Sequence, residues 1–230
     1  MMSMKMRVLV AALLVQAGCS VTQRAPQDSI TQTGFLTNYD QLTPTSDKGL
    51  AAKIYVDKTA NWASYSKVRL EPVTFWASPD SKVPPDVQQR LTDFAYQQLT
   101  EQFKAKGFQL VSISGPGVMI VRAALTDATS ATPGLRTISV VVPQAIVLSS
   151  ATAAVRGKPS FSGAAQTEGE VLDGQTGRRI AAWIDRRVGG NSIENANVWE
   201  WGDAENAIKR WADRIATRAQ ELKTGQSKLI

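Results

Sequence analysis

Four carboxylates, Glu168, Glu170, Asp173 and Asp185, share one stretch with Arg178, Arg179, Arg186 and Arg187, and Thr126 and Asp127 close an apolar run before it. A glycosidase needs two carboxyl groups flanking one bond, one of them with a raised pKa, and Glu168 and Glu170 would share one face of a strand. Acids that alternate with arginines along strands more commonly pair across the strands on a solvated face. That polar network is the reading carried forward. Calcium would need more converging oxygens than this spacing supplies, so no metal is assigned. The 230 residues hold no histidine and one cysteine. Ser-His-Asp and Cys-His nucleophiles, His-ligated zinc or haem, internal disulfides and multi-Cys clusters are thereby excluded. Gly115-Pro116-Gly117 is no phosphate cradle, because a valine-rich strand and not a helix follows it. The expectation is a non-enzymatic chain without a cofactor.

A second set, Arg210, Arg214 and Arg218, recurs one turn apart along a helix and flanks its apolar stripe. These are candidate contacts for an anion, such as a lipid headgroup or an acidic partner. The competing reading is a solvated flank balanced in part by Glu205 and Asp213. Among the six tryptophans, Trp211 falls on the apolar stripe and reads as core, while Trp199 and Trp201 straddle the start of that helix. Trp62 and Trp76, in loops, are the ones expected to be exposed and able to stack on a sugar.

These side chains must be positioned by regular elements. Residues 66–73 alternate through Val68 and Leu70 as a half-buried strand. Pro84-Pro85-Asp86 opens a helix along which Val87, Leu91, Phe94, Ala95, Leu99 and Phe103 recur, with Gly107 as its left-handed stop. Residues 108–113 and 118–125 read as strands, and residues 161–172 and 178–188 as a half-exposed hairpin closed by Asp173-Gly174-Gln175-Thr176-Gly177. A last helix starts from Asp203 as N-cap and carries Ile208, Trp211, Ile215 and Leu222. Residues 137–155 are uncharged, but Pro143, Gln144 and Ser149 dilute the run. It reads as a buried strand over 138–142 followed by a small-residue helix or loop, with a subunit contact or membrane association left open. The order β-α-β-β-β-β-β-α predicts an α+β fold, a mainly antiparallel sheet with two amphipathic helices packed on one face.

Ahead of this domain, Lys5 and Arg7 precede the uncharged run 8–15 and then Ala17-Gly18-Cys19, the three parts of an export signal. Eight residues span about 12 Å as a helix against a hydrocarbon slab of roughly 30 Å, so residues 1–18 read as a signal peptide. Cys19 directly after the small pair Ala17-Gly18 resembles a bacterial lipobox, although Gln16 stands where that motif prefers an apolar residue. The resemblance implies cleavage after Gly18, lipidation of Cys19 and anchoring in a membrane. Ser20, in place of the Asp that resembles an inner-membrane retention signal, implies the outer membrane and a periplasm-facing domain. Residues 19–33 are polar and predict a lipidated N-terminus and flexible tether, with a reach of roughly 45–50 Å. Residues 34–225 then form one globular domain, and Gly34, Phe35, Leu36, Tyr39 and Leu42 dock on it as a short amphipathic segment. Cleavage lowers the net charge from +6 to +4. An exported chain this basic, with no basic stripe, points to anionic envelope components and away from nucleic acid.

Several pieces spread over residues 34–222 are distinctive together. They are Gly34-Phe35-Leu36 with Tyr39 and Leu42, Tyr65-Ser66-Lys67-Val68 with Pro72-Val73, Gly115-Pro116-Gly117, and Arg122-Ala123-Ala124 with Thr126-Asp127. Glu168 and Glu170 before Asp173, Thr176-Gly177, Asp185-Arg186-Arg187-Val188-Gly189-Gly190, and Trp201 with Asp203 entering a helix that carries Trp211-Ala212 complete the set. In combination they resemble a family of uncharacterised bacterial lipoproteins, the domain of unknown function 3313. The resemblance implies a lipid-anchored envelope domain and supplies no activity, substrate or catalytic residue. The functional expectation is a non-enzymatic lipoprotein of the outer membrane that binds another envelope protein or cell-wall polymer, with a homo-oligomer left open. The alternatives are a small-molecule or carbohydrate-binding module and, behind it, a carboxylate-dependent hydrolase.

Overall fold

The structure is a computed structural model that describes residues 22–76, 81–129, 163–189 and 201–226. Residues 1–18, read above as a signal peptide, with Cys19, the segment 137–155 and Trp199 lie outside the described residues. The elements are β1 (Thr22–Arg24), β2 (Thr43–Pro44), β3 (Lys53–Val56), β4 (Lys67–Leu70), β5 (Thr74–Phe75), α1 (Pro85–Ala105), β6 (Gln109–Leu110), β7 (Val118–Thr129), β8 (Ala164–Asp173), β9 (Arg179–Gly189) and α2 (Gly202–Lys223). Among the described residues, the nine strands join one sheet in the order β2-β3-β9-β8-β7-β4-β6, with β1 also paired to β9 and β5 to β7.

The fold is α+β and the sheet is mainly antiparallel. Three pairings are parallel, β4 with β6, β4 with β7 and β5 with β7. The cause is α1, which carries the chain back across the sheet, so that the strands on either side of it run in the same direction. Its proline start, its stripe of Val87, Leu91, Ala95, Leu99 and Phe103, and Gly107 at φ +81° behave as their spacing predicts. Both helices lie on one face of the sheet, where Leu91, Phe103, Ile208 and Trp211 share a core with Val121, Val171 and Trp183. Burying a side chain such as Phe103 stabilises the fold by about 1.5–3 kcal/mol.

The opposite face is covered by residues 30–42, and here several expectations change. The polar stretch read as a tether is, from Thr22 onward, part of the domain. β1 pairs with β9 through Thr22 opposite Gly189 and Arg24 opposite Arg187, and Ala25 is buried. A polar segment without an apolar face can still add a strand, because the pairing uses backbone groups. Leu36 and Leu42 do dock, against Ala182 and Ile184, but the segment is an irregular strap and not a helix; Gly34, at φ +88°, turns it. With this strap on one face and two helices on the other, β8 and β9 are the buried centre of the sheet and not a half-exposed hairpin. The strand expected over 66–73 is β4, which ends at Leu70 just before Glu71-Pro72, where the proline has no N–H to donate to a ladder, and β5 follows it. Asp203 does not cap α2. Trp201 is the N-cap, and the buried Asp203 carboxylate accepts from the Gly163 N–H at 2.7 Å.

Candidate functional site

The carboxylate cluster divides between the two faces of the sheet, because side chains alternate along β8 and β9. Gln166, Glu168 and Glu170 point toward the strap. Gln166 donates to the Thr31 carbonyl at 2.7 Å and to Thr126 Oγ1 at 2.9 Å, and accepts from the Thr31 N–H at 3.1 Å. Glu168 is fully buried, at 0% exposure. Its Oε1 accepts from the N–H and hydroxyl of Thr33 at 3.0 and 3.1 Å, and its Oε2 accepts from the Tyr39 hydroxyl. The Tyr39 oxygen in turn accepts from the Gly34 N–H at 2.9 Å. Burial, the hydrogen bond to Glu168 and that carboxylate's charge together raise the Tyr39 pKa above its ordinary value.

Glu170 lies between two guanidinium groups, Arg122 Nη1 at 2.7 Å and Arg179 Nε at 2.8 Å. Arg179 also reaches the strap, donating to the Asn38 carbonyl at 2.8 Å, while Arg122 sits over the Phe35 ring at 5.8 Å. Arg186 bonds Asp127 at 2.6 Å across the intervening β8. The expected charge pairs therefore form, but on a covered face. The strap supplies the cover, and the acids supply the acceptors for its backbone. Glu168→Gln would present an amide donor where three donors already point, and is expected to cost about 1–3 kcal/mol. Limited proteolysis reads this directly: the variant should be cut within residues 30–42 under conditions that leave the parent intact.

Asp185 faces the helices instead. It is 0% exposed and accepts from the Ala52 N–H at 3.0 Å, Arg187 Nε at 2.7 Å and the Trp211 indole at 2.8 Å. Arg187, 4% exposed, continues to the Leu50 carbonyl at 3.4 Å. The loop 45–51 is the common acceptor of this region. Arg24 donates to the carbonyls of Thr45 at 2.9 Å and Leu50 at 2.5 Å, Arg214 to Gly49 at 2.9 Å, and Arg210 to Lys48 at 3.5 Å. Arg210, Arg214 and Arg218 are thus partly buried rather than a solvated flank. Burial first, then the charges of Arg187 and Arg214, lower the Arg210 pKa from its ordinary value.

Asp173 stands apart at the hairpin turn. Its Oδ1 accepts from the Thr176 N–H and hydroxyl, both at 2.7 Å, and its Oδ2 from the Tyr65 hydroxyl at 2.7 Å. Asp57 similarly holds Thr59 and Arg178. In both acids burial is the largest influence and pushes upward. Hydrogen bonds outweigh it, from Tyr65 and Thr176 at Asp173 and from Thr59, helped by the Arg178 charge, at Asp57, so both sit below the ordinary carboxylate value. Groups depressed in the folded state contribute stability that is complete above the unfolded pKa and lost as pH falls through the folded one. Thermal melts should therefore lose stability from this source only below about pH 4, and Asp173→Asn should flatten that acid limb.

The tryptophans redistribute too. Trp62 is buried and donates to the Asp57 carbonyl at 3.1 Å, contrary to its expected exposure, because the loop folds it under α2. Trp76 is 47% exposed and packs edge-on against Phe35 at 5.9 Å. Trp201 is buried, and Trp211 is core as expected. Sequence reasoning passed over Arg24, Thr33 and Gln166, and placed Tyr39 in the docking segment without its bond to Glu168. Their partners lie more than a hundred residues away, except the loop that Arg24 binds, and no local pattern marks such pairings.

In what remains of chemical capacity, the two glutamates of β8 are engaged with the strap and with arginines, and Asp185 with three donors. Among the described residues, no group of three or more acids, cysteines or histidines is arranged to hold a metal ion. The model of the family described as "Protein of unknown function (DUF3313)" matches residues 31–215. The chain is 27% identical over 210 residues to the uncharacterized lipoprotein YdcL of Escherichia coli K12, covering 90% of each. Its structure is similar to that of a PelC dodecamer from Paraburkholderia phytofirmans, at 11% identity and a TM-score of 0.40, over 71% of this chain and 94% of that one. A minor lipoprotein from Acinetobacter baumannii is similar at 13% identity and a TM-score of 0.31, over 70% and 95%. Likenesses this low carry no function across.

Proposed function

The chain belongs to the DUF3313 family of uncharacterised bacterial lipoproteins, and from that membership we propose a non-enzymatic, lipid-anchored protein of the outer membrane, facing the periplasm, that binds another envelope protein or a cell-wall polymer. The lipoprotein relatives imply a membrane-anchored envelope protein. The observation that carries the non-enzymatic reading is the use of the acids: Glu168, Glu170 and Asp185 are engaged in holding the strap and the arginine cluster to the sheet. The anchor would be Cys19, three residues before β1. Three residues extend to about 10 Å, so the leash is several-fold shorter than a tether running to residue 33. The domain would ride close to the bilayer, with the β1 end of the sheet nearest to it.

Palmitate labelling of the parent and of Cys19→Ala, with membrane fractionation and crosslinking in intact cells, tests this proposal. Support would be label in the parent alone, recovery with the outer membrane, and a specific crosslink to an envelope component. A parent that is unlabelled and released by osmotic shock would overturn it.

A further inference from the structure

We propose that the cavity between α2 and the sheet is a binding site for a small amphipathic carboxylate, its apolar tail among Ile54, Phe103, Met119, Val171 and Leu222 and its charged end toward Arg214. This goes beyond the anchored role above and stands or falls without it.

The cavity has a volume of about 100 Å³, and its walls are mostly apolar, with Asp185, Arg187, Arg214 and Arg218 as the charged residues among them. A benzene-sized guest needs a cavity of roughly 150 Å³, so this one takes a tail of about four carbons. Two independent observations give the guest its polar part. The first is charge. Arg24, Arg187, Arg210 and Arg214 converge on one loop, and the buried acid among them, Asp185, is already matched by Arg187. Arg214 spends only Nε, on the Gly49 carbonyl at 2.9 Å, so its terminal nitrogens have no partner among the described residues. A planar guanidinium presenting two such nitrogens is matched to a carboxylate.

The second is an indole. Three tryptophans line the cavity, Trp62, Trp183 and Trp211. Trp62 and Trp211 use their N–H groups, on the Asp57 carbonyl at 3.1 Å and on Asp185 at 2.8 Å. Trp183 is only 7% exposed, yet its Nε1 has no acceptor among the described residues. Buried donors are otherwise almost always satisfied, so an oxygen brought in by a ligand completes the site. A monoanion fits these walls better than a phosphate, whose second charge and extra oxygens would have to be desolvated against apolar carbon.

Equilibrium dialysis of labelled pentanoate against the full chain in nanodiscs, with empty discs as control, tests the site. Pentan-1-ol supplies the tail without the charge, and inorganic phosphate the charge without the tail. Expected are saturable sub-millimolar binding of pentanoate, at least about tenfold weaker binding of pentanol, and none of phosphate. Arg214→Gln should weaken pentanoate about tenfold and leave pentanol unchanged. Ala219→Leu, which fills the cavity from α2, should abolish both while circular dichroism shows the fold retained. The proposal is overturned by no binding above empty discs, by pentanol or phosphate matching pentanoate, or by a folded Ala219→Leu or Arg214→Gln protein that binds pentanoate like the parent.

Discussion

Asp185→Ala is expected to destabilise the protein by about 3–5 kcal/mol in urea unfolding, because it removes one partner of a buried ion pair and strands the other. Asp185 ties together three parts of the molecule: the backbone of Ala52 ahead of β3, the neighbouring Arg187 of β9, and Trp211 of α2. Without it, Arg187 keeps one carbonyl at 3.4 Å for a guanidinium that is 4% exposed, close to Arg24 and Arg210. Burial is the first cause lowering both of those arginines from their ordinary pKa, and Arg187 is a further one, so the region is already short of negative charge. Asp185→Asn keeps the shape and one acceptor oxygen but turns the other into a donor and removes the charge, and its loss should be intermediate. The double variant Asp185→Leu with Arg187→Leu should recover only the part of the loss that comes from the stranded guanidinium, since the Ala52 N–H and the Trp211 indole would still lack their acceptor. A loss of under about 1 kcal/mol for Asp185→Ala would mean that this cluster does not hold α2 and the loop 45–51 to the sheet.

The contrast between this cluster and the helices shows which parts of the molecule are legible in the chain. α1 was readable because its signals are local: two prolines, an apolar step of three or four residues, and a glycine at the end. The turn at Asp173 to Gly177 was readable for the same reason, and Gly177 does take a positive φ of 71°. Asp185 was read as one acid of a solvated row because alternation along a strand says which residues share a face and not what covers that face. The cover on the Glu168 side comes from residues 30–42, whose docking through Leu36 and Leu42 was legible but whose irregular course over Glu168 was not, because its hydrogen bonds to that carboxylate join residues about 130 positions apart. β1 and β2 are shorter still, and their pairing is decided by the edge that β9 and β3 leave open, which no side-chain pattern records. The arginines of α2 were correctly placed on its flank. That Arg210 and Arg214 converge on carbonyls about 160 residues earlier is a property of the assembled fold.

Gly169→Ala is the second large effect, expected at about 2–3 kcal/mol by the same measurement. Gly169 is directly opposite Trp183 in the pairing of β8 with β9. A Cβ at this position would lie 2.0 Å from Trp183 Cζ2 and 2.4 Å from Cη2, so the indole rests flat on the bare backbone of the neighbouring strand. The clash cannot be relieved by a small rotation, because Trp183 is packed in the core with Val171 and Ile54. Nor is the glycine there for its backbone: it is not among the residues with positive φ, so alanine suits its conformation. In the unfolded chain the substitution removes freedom and would by itself stabilise the protein by about 0.4–1 kcal/mol. A net destabilisation therefore isolates the steric term. Trp183→Leu should cost stability in the parent but cost less on the Gly169→Ala background, giving a coupling energy of about 1 kcal/mol or more in the double-mutant cycle. Because Trp183 also lines the cavity beneath α2, the displaced ring in Gly169→Ala should weaken pentanoate binding, whereas an alanine at the exposed Gln175 of the turn should leave both readings unchanged.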